Sequence, residues 1–298
     1  MSPALENNIY EKCALCARLC RVNRVAGERG YCKMPSEPYI ARIGLHEWEE
    51  PIISGIGGSG TVFFSGCSLG CVYCQNAEIS RAAVGRKMSE EEIAKELLSL
   101  EKSGAENINF VTPTHYAKSV LDSVKIAREM GLKIPIVYNT SSYDTVEAVR
   151  LVSPAVDVFL ADFKYYLNKS AKKYSNAQNY VETAKAAIDE MVRLCPRPVI
   201  ENGLMKKGVI IRILLLPTHV AEAKLSLEYL YRRYGDSVYF SLMSQYTPME
   251  NSPYPIDRAV TLREYCDLVS FAERLKIKNA FIQHKSSAIK DFIPKFEK

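Results

Sequence analysis

Residues 61–76 read TVFFSGCSLGCVYCQN, a β-branched and aromatic run that breaks at Gly66 into a loop carrying Cys67, Cys71 and Cys74. A short, almost continuously apolar run is the mark of a strand buried on both faces, as in parallel sheets. The loop after it places three thiols in the spacing C-x3-C-x2-C. Thiolates are the ligands of iron–sulfur clusters, and this spacing lets one short loop wrap three corners of a cubane, with Gly66 and Gly70 allowing the tight turns. Three ligands on four irons leave one iron open to a bound molecule. The competing reading, a zinc knob, asks for four ligands, and no histidine stands near the loop to complete it.

Working outward, the same strand-then-loop-then-helix unit recurs. NINFV (107–111), PIVYN (135–139), VDVFLAD (156–162), GVIIRILLL (208–216) and VYFSLM (238–243) read as further strands, and NAFIQ (279–283) as a last edge strand. Helical patterns separate them. SEEEIAKELLSLEKSG (89–104) opens on a capping box, Ser89 with Glu92, and ends at Gly104. Helices are expected over 117–130, 144–152, 168–194 and 220–234, and over 261–275 from the capping box of Thr261 and Glu264. Six strand–helix units with right-handed crossovers predict an α/β fold, a partial (β/α)6 TIM-like barrel. In such barrels chemistry gathers at the carboxyl ends of the strands. The cysteine loop lies there, and so do TPTHY (112–116), NTSSY (139–143), DFKYY (162–166), PTH (217–219) and SQYTP (244–248).

The 298 residues divide into a Cys-rich N-terminal segment (1–50), a glycine-rich joint SGIGGSG (54–60) and a regular body, so the expected domains are 1–50 and 51–298. Within the head, Cys13, Cys16, Cys20 and Cys32 form C-x2-C-x3-C-x11-C. So short a segment cannot bury a core, and a metal would supply its folding free energy. Zinc and an auxiliary iron–sulfur cluster both fit the four thiols, with free thiols or redox disulfides as the opposing readings. Arg18, Arg21, Asn23 and Arg24 interleave with these cysteines and read as surface charge, with docking of the head on the barrel or contact with a partner as the alternative. The isolated Cys195 and Cys266 read as small buried hydrophobes. His115 and His219 read as polar lining of the strand-end face, and His46 and His284 as incidental.

A net charge of +5 without a basic, aromatic-interleaved run argues against nucleic acid as a partner. The polar start and the shortness of VIIRILLLP (209–217), which contains Arg212, argue against a secretory signal or a membrane span and predict a cytoplasmic protein. Clustered cysteines in a reducing compartment then point to metal. No G-x-S-x-G, P-loop or H-E-x-x-H appears, which speaks against hydrolase, kinase and metalloprotease chemistry.

GCSLGCVYCQN (66–76) resembles the signature of the radical S-adenosylmethionine (radical SAM) superfamily. More narrowly it is similar to the stand-alone relatives of pyruvate formate-lyase activating enzyme, with VTPTHY, IVYNTS, DFKY, KKYSNA, MKKGVI and SLMSQYTP continuing the likeness. The resemblance implies a [4Fe-4S] cluster on Cys67, Cys71 and Cys74 whose open iron binds S-adenosylmethionine. It further implies reductive cleavage to a 5′-deoxyadenosyl radical that abstracts hydrogen from a substrate. It implies a reductant such as flavodoxin or ferredoxin, and a glycyl radical enzyme, another peptide or a small molecule as substrate. A non-catalytic iron–sulfur or electron-transfer protein is the alternative of a different class. Among site residues it implies that Tyr73 neighbours adenine, and that Asp162 and Lys164 lie by the methionyl end. Thr112 stands where the family carries GGE, Asn139 where it carries an acidic residue of a cation site, and Gln245 by adenine or ribose.

Overall fold

The computed structural model describes residues 9–250 and 252–282. The N-terminal MSPALENN, Gln283 and His284 therefore lie outside the described residues. Each apolar run of the body is a strand: β1 Tyr39–His46, β2 Ser59–Phe64, β3 Arg86–Lys87, β4 Ile108–Val111, β5 Ile136–Thr140, β6 Val158–Asp162, β7 Val199–Glu201, β8 Leu204–Leu214, β9 Tyr239–Met243 and β10 Ala280–Ile282. The helices are α1 Pro51–Ser54, α2 Ala77–Ser80, α3 Glu90–Lys102, α4 Ala117–Glu129, α5 Val146–Val152, α6 Asn168–Ser175, α7 Tyr180–Leu194, α8 Val220–Tyr234 and α9 Leu262–Arg274.

The strands pair in the order β10-β9-β8-β6-β5-β4-β2-β1-β3, with β7 paired to β8 off this path. From β2 to β10 every pairing along that path is parallel. All residues of β2 and β5 are buried, as continuous apolar runs require when helices cover the sheet. Among the described residues the end strands β3 and β10 do not meet, so the barrel is partial and open. Both predicted capping boxes are present, at Ser89–Glu92 before α3 and Thr261–Glu264 before α9, and each satisfies two N-terminal N–H groups.

Three strands were not read from the sequence. The most consequential is β1, which pairs antiparallel with β2 from Ile40–Phe64 to His46–Ser59. YIARIGLH lacks a clean two-residue alternation, and only its partner strand makes it a strand. It carries the chain from the cysteine head into the sheet, and its last residue, His46, lies opposite Ser59 at the amino end of β2.

Before β1, residues 9–38 hold no regular helix or strand. They are fixed instead by half-buried Arg18, buried Arg24 and backbone bonds. Arg18 donates to the carbonyls of Ser68 (2.9 Å), Leu69 (3.1 Å), Ser175 (2.9 Å) and Asn176 (2.5 Å), and its guanidinium lies 3.7 Å from the centre of the Tyr31 ring. Arg24 is 1% exposed and donates to the carbonyls of Pro35 and His115. The surface reading of these two arginines is corrected: both tie the head to the barrel, through partners some 50 to 158 residues away. Arg21 is exposed, and the Asn23 carboxamide accepts from the Ala26 N–H. Cys195 is buried as expected, but Cys266 is exposed on α9.

Candidate active site

A cavity of about 260 Å³ opens at the carboxyl ends of the parallel strands. The strand sets where each lining residue stands, because the last side chain of every β–loop junction is delivered to one end of the sheet. β2 contributes the cysteine loop, β4 Thr112, β5 Asn139, β6 Asp162 and Lys164, and β9 Gln245 with Tyr246. Cys67, Cys71, Cys74, Tyr73, Thr112, Asn139, Asp162, Lys164 and Gln245, singled out from sequence, therefore all line one space.

The cysteine loop is held before anything binds to it. Gly66 sits at φ +80, and a Cβ there would run into Met34 and the Cys32 carbonyl of the head. The Val72 N–H donates to the Tyr174 carbonyl (2.8 Å), and Arg18 holds the Ser68 and Leu69 carbonyls. Two of the thiols already receive hydrogen bonds: Cys67 Sγ from the Leu69 N–H (3.3 Å), and Cys71 Sγ from Ser175 Oγ at the end of α6 (3.0 Å). Burial and the neighbouring Cys74 and Cys71 push the Cys67 thiol up to about 12, and burial followed by Cys71 pushes Cys74 up as well. Three soft sulfurs packed together at the rim of a cavity, with N–H and O–H donors aimed at them, suit a cationic thiophilic centre. Among the described residues no three His, Cys, Asp or Glu side chains converge as a single ion requires. A cubane carries its ligands on separate irons and asks for no such convergence.

Tyr73 turns away from the opening. Its hydroxyl is 2.8 Å from that of Tyr165, and its ring packs edge-on against Tyr174 and Tyr246. It thus offers the cavity mainly its backbone and one ring edge. Thr112 holds φ +57, a left-handed conformation that costs a β-branched residue about 1–3 kcal/mol. Its N–H donates to the Asn139 carbonyl (3.0 Å), which joins the ends of β4 and β5.

On the β5–β6–β8 wall lies a buried charge network. Arg212 donates to Asp162 (2.7 Å), Glu49 (3.2 Å) and Asn139 Oδ1 (2.7 Å), and Lys164 pairs with the second oxygen of Asp162 (2.7 Å). Burial pushes Asp162 up, but Arg212 and Lys164 outweigh it and hold the carboxyl below its usual range. Burial lowers Lys164, and Asp162 and Cys71 more than reverse this, so it stays a cation beside the cysteine loop. Glu50, behind the network, is pushed up by burial.

Arg212, Glu49, His46 and Trp48 also line the cavity and were missed. Arg212 had a signal, as the one charge inside GVIIRILLL. The other three are the last residue of β1 and the turn after it, so their place could be read only with that strand. Conversely, His115 and His219 do not line it. His115 is buried beneath the cysteine loop, with Nε2 2.7 Å from the Ser65 carbonyl, and burial, then Arg24, lowers it to about 3. His219 precedes α8, and its ring contacts the Tyr174 hydroxyl (3.3 Å) and the Pro217 carbonyl (2.7 Å). The reading of both as lining is corrected, as is that of His46 as incidental.

Comparison with known proteins agrees with this architecture. The family model described as the radical SAM superfamily matches residues 61–222. The uncharacterized protein MJ0674 of Methanocaldococcus jannaschii is 30% identical over 286 residues, covering 92% of this chain and 78% of that one. Among solved structures, methylornithine synthase aligns with a TM-score of 0.52 at 16% identity, over 72% of this chain and 61% of that one. A radical SAM methyltransferase from Sphaerobacter thermophilus gives 0.52 at 14%, over 75% and 66%. The chain thus spans a little under two thirds of each of these structures, and at such identities they speak for the fold alone. Among the described residues no helix is long and apolar enough to cross a membrane. The chain belongs to the radical SAM superfamily, whose members carry a [4Fe-4S] cluster and use S-adenosylmethionine.

Proposed function

We propose that Cys67, Cys71 and Cys74 hold the [4Fe-4S] cluster, and that S-adenosylmethionine lies across the cavity toward Thr112, Asn139, Asp162, Lys164 and Gln245. The observation that carries this reading is that all of these residues, from five separate strands or loops, line one space of about 260 Å³. Bound there, cluster and cofactor would supply one-electron cleavage of the sulfonium and hydrogen abstraction from a substrate. The protein's own part is positioning. Asp162, kept ionised between Arg212 and Lys164, presents a fixed carboxylate for an ammonium group, and Lys164 a cation for a carboxylate. Tyr73 and Tyr246 supply apolar surface and exclude water.

The substrate reading follows the sequence likeness: activase-like formation of a glycyl radical on a partner enzyme, driven by a flavodoxin- or ferredoxin-type reductant. Modification of another peptide or a small molecule is the second reading, favoured by Thr112 and Asn139 standing where the activating enzymes carry glycine and an acidic residue. Anaerobic reconstitution with S-adenosylmethionine and a strong reductant tests the core. Cluster-dependent 5′-deoxyadenosine is expected, and its complete loss in Cys71→Ala together with the cluster absorption. A loaded cluster that yields no 5′-deoxyadenosine would remove the enzymatic assignment. A glycyl radical signal on a co-incubated partner enzyme separates the two substrate readings.

A further inference from the structure

Arg24 poses a charge problem. Its guanidinium is 1% exposed, and among the described residues no carboxylate forms an ion pair with it. Its partners are the Pro35 and His115 carbonyls, the rings of Tyr10 (4.6 Å) and Tyr116 (4.9 Å), and Cys13 Sγ at 3.6 Å. A buried cation normally sits against an anion, because a low-dielectric interior strongly disfavours a charge left alone. Carbonyl dipoles and ring faces offset part of that cost but supply no net negative charge.

Among the described residues around Arg24, the head's cysteines can supply one as metal-bound thiolates. Cys13 touches it, and Cys13 and Cys32 are its near electrostatic neighbours. Cys16 is in turn within reach of Cys32, Cys13 and Cys20. Bound to iron all four are thiolates, and a cluster with four of them is net negative in both of its common oxidation states. The backbone is already shaped for sulfur: the Tyr31 N–H donates to Cys20 Sγ (3.3 Å), and Gly30 lies so close that a Cβ there would meet that sulfur at 2.9 Å.

We infer that Cys13, Cys16, Cys20 and Cys32 hold a second iron–sulfur cluster, with all corners ligated by the chain and Arg24 as its buried counter-cation. A single zinc is disfavoured, since no three of these sulfurs converge as one ion requires among the described residues. The site is closed: none of the four cysteines lines the cavity beside Cys67, Cys71 and Cys74. The inference stands apart from the assignment of those three, because the two groups can be removed separately.

The test is iron and sulfide counting on the full chain after anaerobic reconstitution. The triple variant Cys67→Ser, Cys71→Ser, Cys74→Ser leaves the head untouched and should retain ~4 irons of ~8, with cluster absorption and an electron paramagnetic resonance signal on reduction. Cys13→Ser with Cys20→Ser should lose the same ~4 irons. Should that pair fail to fold, the triple variant alone decides. A triple variant without iron, or with zinc in its place, overturns the inference. Arg24→Leu should make the retained cluster harder to reduce, because a positive charge beside it is gone. An unchanged potential would refute Arg24's role as counter-cation.

Discussion

Two buried arginines, Arg212 and Arg24, show how differently the barrel and the head balance charge. Arg212 rises near the carboxyl end of β8 between two carboxylates, Asp162 and Glu49, and also donates to Asn139 Oδ1. Arg24 has carbonyls, rings and a thiol, but no carboxylate among the described residues. The first is balanced by the amino-acid sequence alone. In the second, no described carboxylate stands beside the charge, and on the inference drawn above the neighbouring sulfurs supply it as metal-bound thiolates. One part of the molecule thus carries its counter-charges in its carboxylates, and the other is inferred to gain them with metal.

The sharpest way to break this contrast is Arg212→Leu. It strands Asp162 and Glu49 in a buried wall, and loss of one partner from such a network costs about 3–5 kcal/mol. Denaturant midpoints should fall by a similar amount with or without metal in the chain. A drop confined to the metal-loaded form would place Arg212 in the head's category instead.

His115 reports from beneath the loop that separates the two regions. In the folded chain it is lowered from 6.5 to about 3 by burial and then by Arg24, so the native imidazole is neutral. The unfolded chain takes up that proton near pH 6.5. The stabilisation from burying the neutral ring is present above pH 6.5 and is lost as pH falls toward 3, by about 1.4 kcal/mol per pH unit. His115→Gln, whose amide can still meet the Ser65 carbonyl, should flatten the stability profile between pH 6 and 4. An unchanged slope would move the acid sensitivity elsewhere.

Smaller effects follow at the seam. Arg18→Ala removes four donations to backbone carbonyls, two of them on the cysteine loop. A loss of about 2 kcal/mol is expected, with faster release of the adjacent cluster to a chelator than of the head's metal. Equal acceleration of both would mean that the seam acts on the whole chain. Ser175→Ala, which deletes the 3.0 Å donation to Cys71 Sγ, should cost about 1 kcal/mol and lower the reduction potential of that cluster alone. Potentiometry on the two clusters reads this directly.

The parallel strands were legible because sequence neighbours carry the signal: VFF (62–64) and IVY (136–138) are unbroken apolar runs, and α3 and α9 open on capping boxes. The strand-end residues were legible for the same reason, since a β–loop junction fixes which end of the sheet a residue occupies. Thr112, Asn139, Asp162 and Gln245 thus reach one cavity without any knowledge of their contacts. What escaped were relations between distant segments. YIARIGLH becomes a strand only beside β2, and Arg18 becomes a clamp only when carbonyls 50 and 157 residues away come within reach. Arg24 looked like one of three solvated arginines because burial of an arginine depends on partners that no local window contains. Cys266 erred the other way: an apolar residue type says nothing about which face of α9 it occupies.

The grip of Arg18 also ties the seat of the cavity's cluster to the far end of α6. One guanidinium holds the Ser68 and Leu69 carbonyls of the cysteine loop together with those of Ser175 and Asn176. Neither head nor loop is finished alone, so the two take shape as one unit once the chain through α6 is in place.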